Sequence, residues 1–120
     1  MTERIRFITH EGKQVLLVDL SNCSAAEVEK TCRAVPDVVT TRPRSSVLAL
    51  TDFTRATFNH EAIQVIKESA VFDKPFVKKS AFVGTETFPR EFSENLSSFS
   101  RREFSVFKTR EEALAWLAKD

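Results

Sequence analysis

An apolar run from Val47 to Leu50 breaks off at Thr51-Asp52, and a polar loop then leads into a helix that begins near Asn59. A short apolar run bounded by polar residues reads as a strand buried on both faces of a parallel sheet. In such sheets ligands and partners meet the carboxyl ends of the strands. The segment Ser46 to Phe58, SVLALTDFTRATF, is therefore where a functional surface is expected.

The rest of the chain punctuates itself in the same way. Arg4 to Thr9 alternates, with Ile5 and Phe7 on one face, as a half-exposed strand does. Glu11-Gly12-Lys13 is a turn, and Val15 to Leu20 is a second, more buried strand, so the pair predicts an antiparallel hairpin. Ser24 with Glu27 three residues on is a capping box. Val28, Cys32 and Val35 follow at helical spacing, and Pro36 is expected to end that helix. Asp37 to Ser45 is expected to be irregular. A second helix starts at the N-cap Asn59, buries Ala62, Ile63, Ile66 and Ala70, and closes at Lys74-Pro75. Ser80 to Gly84 is a fourth, central strand. A third helix is expected from Phe88 to Phe99, with Pro89 in its first turn, and Phe104 to Phe107 alternates as a fifth strand. Thr109 with Glu112 caps a last helix carrying Ala113, Leu114, Trp116 and Leu117.

The order β-β-α-β-α-β-α-β-α predicts a single α/β domain spanning residues 1–120. After the opening hairpin, strands and helices alternate, giving a mixed, mainly parallel five-stranded sheet with about four helices. The length of 120 residues suits one domain.

Composition narrows the function. The net charge is +1 with acids and bases interspersed, which argues against a nucleic-acid partner. No apolar run approaches the ~20 residues needed to cross a bilayer, and the opening MTERIRFITHEGK has no hydrophobic signal core. Cys23 and Cys32 lie around one predicted helix at a spacing that puts them on opposite faces, without metal-type spacing. A reducing, cytoplasmic setting is expected.

Several segments together resemble one family: the hairpin with its EGK turn, the strand LLVDLS, the exit VLALTDFT, the strand KKSAFVG and the ending FKTREEALAWL. In order and spacing they look like the STAS-like domains grouped as SpoIIAA-like, also labelled STAS/SEC14. The resemblance implies a binding module, not an enzyme. In the anti-sigma antagonists of that family a Ser at the start of the second helix is phosphorylated, and the added charge of about −2 switches binding off. The family signature there is Asp-Ser-Ser/Thr-Gly. This chain reads Asp52-Phe53-Thr54-Arg55-Ala56-Thr57, with neither Ser nor Gly. The phospho-switch therefore does not carry over residue by residue.

The expected interaction surface is Asp52, Phe53, Thr54, Arg55, Thr57 and Phe58, engaging a protein partner. Phe53 would supply apolar area, Asp52 and Arg55 would set polarity, and Thr54 or Thr57 would take any modification. Aromatic and Arg residues are the usual anchors of such patches. Self-association through the exposed hairpin strand or an apolar helix face stays open.

The alternative reading is a carrier or sensor of a lipid or other apolar small molecule. It rests on the phenylalanines, eight of whose eleven fall after residue 70, with Phe72, Phe76, Phe82, Phe88, Phe92 and Phe99 as the lining. An apolar cavity of several hundred Å3 would support it.

Catalytic and metal chemistry find little purchase. Asp19 and Asp52 end adjacent strands and form the one nominated carboxylate pair, against a plainer reading as separate caps. His10 and His60 lack companions at metal-ligand spacing, and neither Gly12 nor Gly84 begins a phosphate loop. Cys23, just before a helix N-terminus, is a weak candidate for a lowered pKa. No metal or cofactor is expected.

Overall fold

A computed structural model describes residues 4–85 and 104–119. Five strands, β1 (Ile5–His10), β2 (Lys13–Asp19), β3 (Val47–Asp52), β4 (Val77–Val83) and β5 (Phe104–Phe107), form one sheet in the order β1-β2-β3-β4-β5. The first pair is antiparallel and the other three are parallel. Three helices complete the described residues: α1 (Ala25–Val39), α2 (His60–Asp73) and α3 (Arg110–Ala118). The expected helix from Phe88 to Phe99 lies outside them. The predicted fold class, α/β with a mixed, mainly parallel five-stranded sheet, is the one observed.

The central stretches of β2, β3 and β4 are mostly apolar because both faces of the sheet are covered. Leu16, Val18, Val47, Ala49 and Phe82 point into one core with α1 and α2. Val15, Leu17, Leu48, Leu50, Ala81 and Val83 point into a second core under α3. Crossovers that step in one direction with one hand place their helices on one face, and α1 and α2 follow that rule. The hairpin turn puts both Glu11 (φ 49°) and Gly12 (φ 80°) at positive φ, as a type I′ turn requires.

The helix starts match expectation. Ser24 Oγ accepts from the Glu27 amide at 3.2 Å while the Glu27 carboxylate accepts from the Ser24 amide at 3.0 Å. Asn59 Oδ1 accepts from the Ala62 amide at 2.8 Å. The end of α1 does not match. Pro36 sits inside the helix, which continues to Val39. A proline removes the hydrogen bond to the carbonyl four residues back, here that of Cys32. Ser69 Oγ of α2 donates to that carbonyl at 3.2 Å, so a neighbouring helix supplies what the proline cannot.

The cysteines also differ from expectation. Cys23 precedes α1, and both thiols are free and buried in the same core, not on opposite faces. Burial, reinforced by Asp73 and Cys23, pushes the Cys32 thiol up to about 12. Burial likewise raises Cys23, against the lowered value that its place before a helix suggested.

Lys79 of β4 reaches across to the end of α3. Its Nζ donates to the carbonyls of Trp116 (3.3 Å) and Lys119 (2.7 Å) and lies 5.1 Å from the Trp116 ring centroid. A strand residue thus adds bonds to carbonyls at the C-terminal end of α3.

Candidate functional site at the carboxyl ends of the strands

β2 and β3 leave the sheet through two turns of the same construction. At the first exit Asp19 Oδ1 accepts from the Ser21 amide (3.0 Å) and hydroxyl (2.5 Å). At the second Asp52 Oδ1 accepts from the Thr54 amide (2.9 Å) and hydroxyl (2.6 Å). Short acidic side chains make such bonds two residues along their own chain. Each turn then closes by a backbone bond, from the Cys23 amide to the Leu20 carbonyl (3.1 Å) and from the Ala56 amide to the Phe53 carbonyl (2.9 Å). In each the third residue has positive φ, 58° at Asn22 and 57° at Arg55, as a type II turn requires. Leu20 and Phe53, the second members of Asp-Leu-Ser-Asn and Asp-Phe-Thr-Arg, both turn into the protein.

The twin turns are strapped together. The Leu20 amide donates to the Asp52 carbonyl (2.8 Å), Asn22 to Thr54 (2.8 Å) and Thr57 to Cys23 (2.9 Å), and Phe53 donates to Val83 at the end of β4 (2.8 Å). Arg55 Nε donates to Asn22 Oδ1 at 2.9 Å. Gly84 (φ 73°) lies against Thr54. A Cβ there would meet the Thr54 hydroxyl and come within 2.5 Å of its amide nitrogen and 2.6 Å of its Cα.

Asp19 and Asp52 are partners in register. Arg110, the first residue of α3, bridges them: its Nε lies 2.7 Å from Asp52 Oδ2 and a terminal nitrogen 3.2 Å from Asp19 Oδ1. Burial opposes the charge on Asp19. The Ser21 hydroxyl and amide, with Arg110, outweigh it and hold the carboxyl below its usual value. Burial likewise opposes the charge on Arg110, and Asp52 and Asp19 reverse that effect and raise it. The two carboxylates do converge, but around a cation that occupies both.

The expected surface residues separate into two groups. Phe53 is 2% exposed. Its ring meets Phe82 edge-on at 5.3 Å and Phe58 at 6.1 Å, so it is a core residue and offers no area to a partner. Asp52 is buried as well, because β3 runs two residues further than the apolar run suggests. Thr54 is half-buried with its hydroxyl committed to Asp52. Arg55 and Thr57 are exposed and Phe58 is half-buried. The chain therefore emerges at Thr54-Arg55, not at Asp52.

The phenylalanine lining does not form among the described residues. Phe72 is exposed on α2, Phe76 is half-buried and Phe82 is in the core, while Phe88, Phe92 and Phe99 lie outside the described residues. The cavity between the sheet and α1 and α2 measures about 60 Å3, well short of several hundred.

A solved structure from Shewanella loihica PV-4, an uncharacterised protein of the DUF3478 family described as having a SpoIIAA-like fold, matches 95% of this chain and 92% of its own. The TM-score is 0.69 and the sequence identity 17%. The fold is SpoIIAA-like. Neither a family model nor a curated protein matches the sequence.

Within this SpoIIAA-like frame, Arg110 and the twin turn were the features missed from sequence. Both left a trace. An Arg in the first turn of a helix opposes the helix dipole, which signals that its charge is needed elsewhere. Asp19-Leu20-Ser21 and Asp52-Phe53-Thr54 repeat one pattern, acid, apolar residue, hydroxyl, at the ends of two strands.

Proposed function

We propose that this chain is a non-enzymatic binding module, of the regulatory kind that the STAS-like resemblance implies, which docks a partner protein on the twin-turn surface. The observation that carries the reading is Arg55. A bulky residue at positive φ is unfavourable, and glycine or asparagine would serve the turn better. Arg55 nonetheless holds the exposed apex of a loop whose backbone is tied on several sides. Its guanidinium, with Thr57 and the half-buried Phe58 beside it, gives a charged and apolar patch on a fixed base. Pre-ordered surfaces lose little conformational freedom on docking.

Two further points favour docking over chemistry. Among the described residues the strand order contains no reversal, the feature at which α/β enzymes commonly hold substrates. The nominated carboxylates are engaged by Arg110, and both thiols are buried and raised. If the surface is modified, Thr57 is the accessible hydroxyl.

The test compares affinity capture from native lysate by the natural chain, Arg55→Gly, Arg55→Glu and a control, Arg33→Glu, on exposed α1 surface. Arg55→Gly is expected to keep or raise stability by up to ~1 kcal/mol, since glycine suits positive φ. It should nevertheless lose the partners that Arg33→Glu retains. Retention of the same partners by both Arg55 variants would refute the surface.

A further inference from the structure

The cavity between the sheet and α1 and α2 is apolar over most of its wall, where Leu16, Val18, Val35 and Ile66 meet it. Its polar wall includes Ser80, on β4, and Ser69, on α2. Ser69 is engaged, donating to the Cys32 carbonyl and to the Asp73 carboxylate at 3.0 Å. Ser80 is not. It is 1% exposed, and its hydroxyl has no hydrogen-bond partner among the described residues. It shares its side of the sheet with the cavity-lining residues Ala49 and Phe82. A buried hydroxyl without a partner is unfavourable, and a small molecule that brings a donor or acceptor would meet it.

We propose that this cavity is a binding site for a small uncharged amphiphile, with one hydroxyl-type head on Ser80 Oγ and a short carbon tail against the apolar wall. The volume sets the size. One water-sized group needs ~10–15 Å3 by this measure, so 60 Å3 admits about four or five heavy atoms. That is the scale of propanol. It is too small to enclose the acyl chain that a lipid carrier would need. The best small ligands bind with at most about −1.5 kcal/mol per heavy atom, which limits four atoms to a Kd no tighter than tens of micromolar.

The experiment is an amide-resolved NMR titration of the full chain with 1-propanol and, separately, 1-hexanol. Expected are saturable shifts for 1-propanol at cavity residues of β3, β4 and α2, and none for 1-hexanol. Ser80→Ala removes the head contact and should weaken 1-propanol binding roughly threefold to tenfold, the effect of one hydrogen bond. Ala49→Val fills the space with a residue that strands favour and should abolish binding. Shifts that grow linearly without saturation, or a Kd unchanged in both folded variants, would overturn the proposal. So would a high-resolution crystal structure soaked in 1-propanol that shows water alone at Ser80.

Discussion

Arg110→Met tests whether the guanidinium holds the strand exits together. Methionine keeps most of the apolar stem and removes the charge. The Asp52 side chain, 7% exposed, is left without its partner at 2.7 Å. Breaking a buried pair from one side costs about 3–5 kcal/mol. The Arg110 side chain is 35% exposed, so solvent takes part of the load and about 2–3 kcal/mol is expected. With a urea slope of roughly 1.5 kcal/mol per molar, the unfolding midpoint should fall by about 1.3–2 M. Asp52→Asn preserves an oxygen for Thr54 and removes the charge. In a double-mutant cycle the Arg110–Asp52 coupling should be about 1–2 kcal/mol. A single-variant loss below about 0.5 kcal/mol, the range of an ordinary surface change, would refute the clamp, as would a coupling near zero.

Three further outcomes follow from the same coordinates. Gly84→Ala combines positive φ with a Cβ driven into the Thr54 backbone; a loss of at least ~3 kcal/mol, or ~10 °C in Tm, is expected, and a Tm within ~3 °C of the natural chain would contradict it. Ser69→Ala should cost about 1–2 kcal/mol by stripping the Cys32 carbonyl, and clearly less in a Pro36→Ala background, where the helix restores its own bond; equal costs in both backgrounds would remove the argument. Asp19 has a depressed folded pKa, so its contribution is present above the unfolded value of ~3.9 and disappears as pH falls through the folded one. The urea midpoint should therefore drop below about pH 4, more steeply than in Asp19→Asn. Glu27, held low by Ser24, titrates in the same window in both chains, so parallel curves would count against Asp19.

What the sequence revealed depended on whether the cause was local. Strands, caps and helix starts come from periodicity and from side chains that bond within a few residues, and Ser24, Asn59 and Thr109 all cap as read. Errors arose where a distant residue decided the matter. Pro36 reads as a terminator because Ser69, 33 positions away, cannot be seen beside it. Phe53 reads as a surface aromatic because loop residues are usually exposed. The type II turn instead swings it inward onto Phe82. Asp19 and Asp52 are expected at one edge of the sheet, and there they stand, each also capping its own turn as the plainer reading has it, but the chain gives no direct sign that Arg110, 58 residues beyond Asp52, closes over them.

The packing of α3 also provides a built-in optical reporter. Trp116 is the sole tryptophan, with its ring 5.6 Å from Phe107 and the Lys79 ammonium close over it. Its emission should respond to detachment of the last helix. Fluorescence and far-ultraviolet dichroism, followed side by side during unfolding, would reveal whether the two faces of the sheet come apart together or in turn.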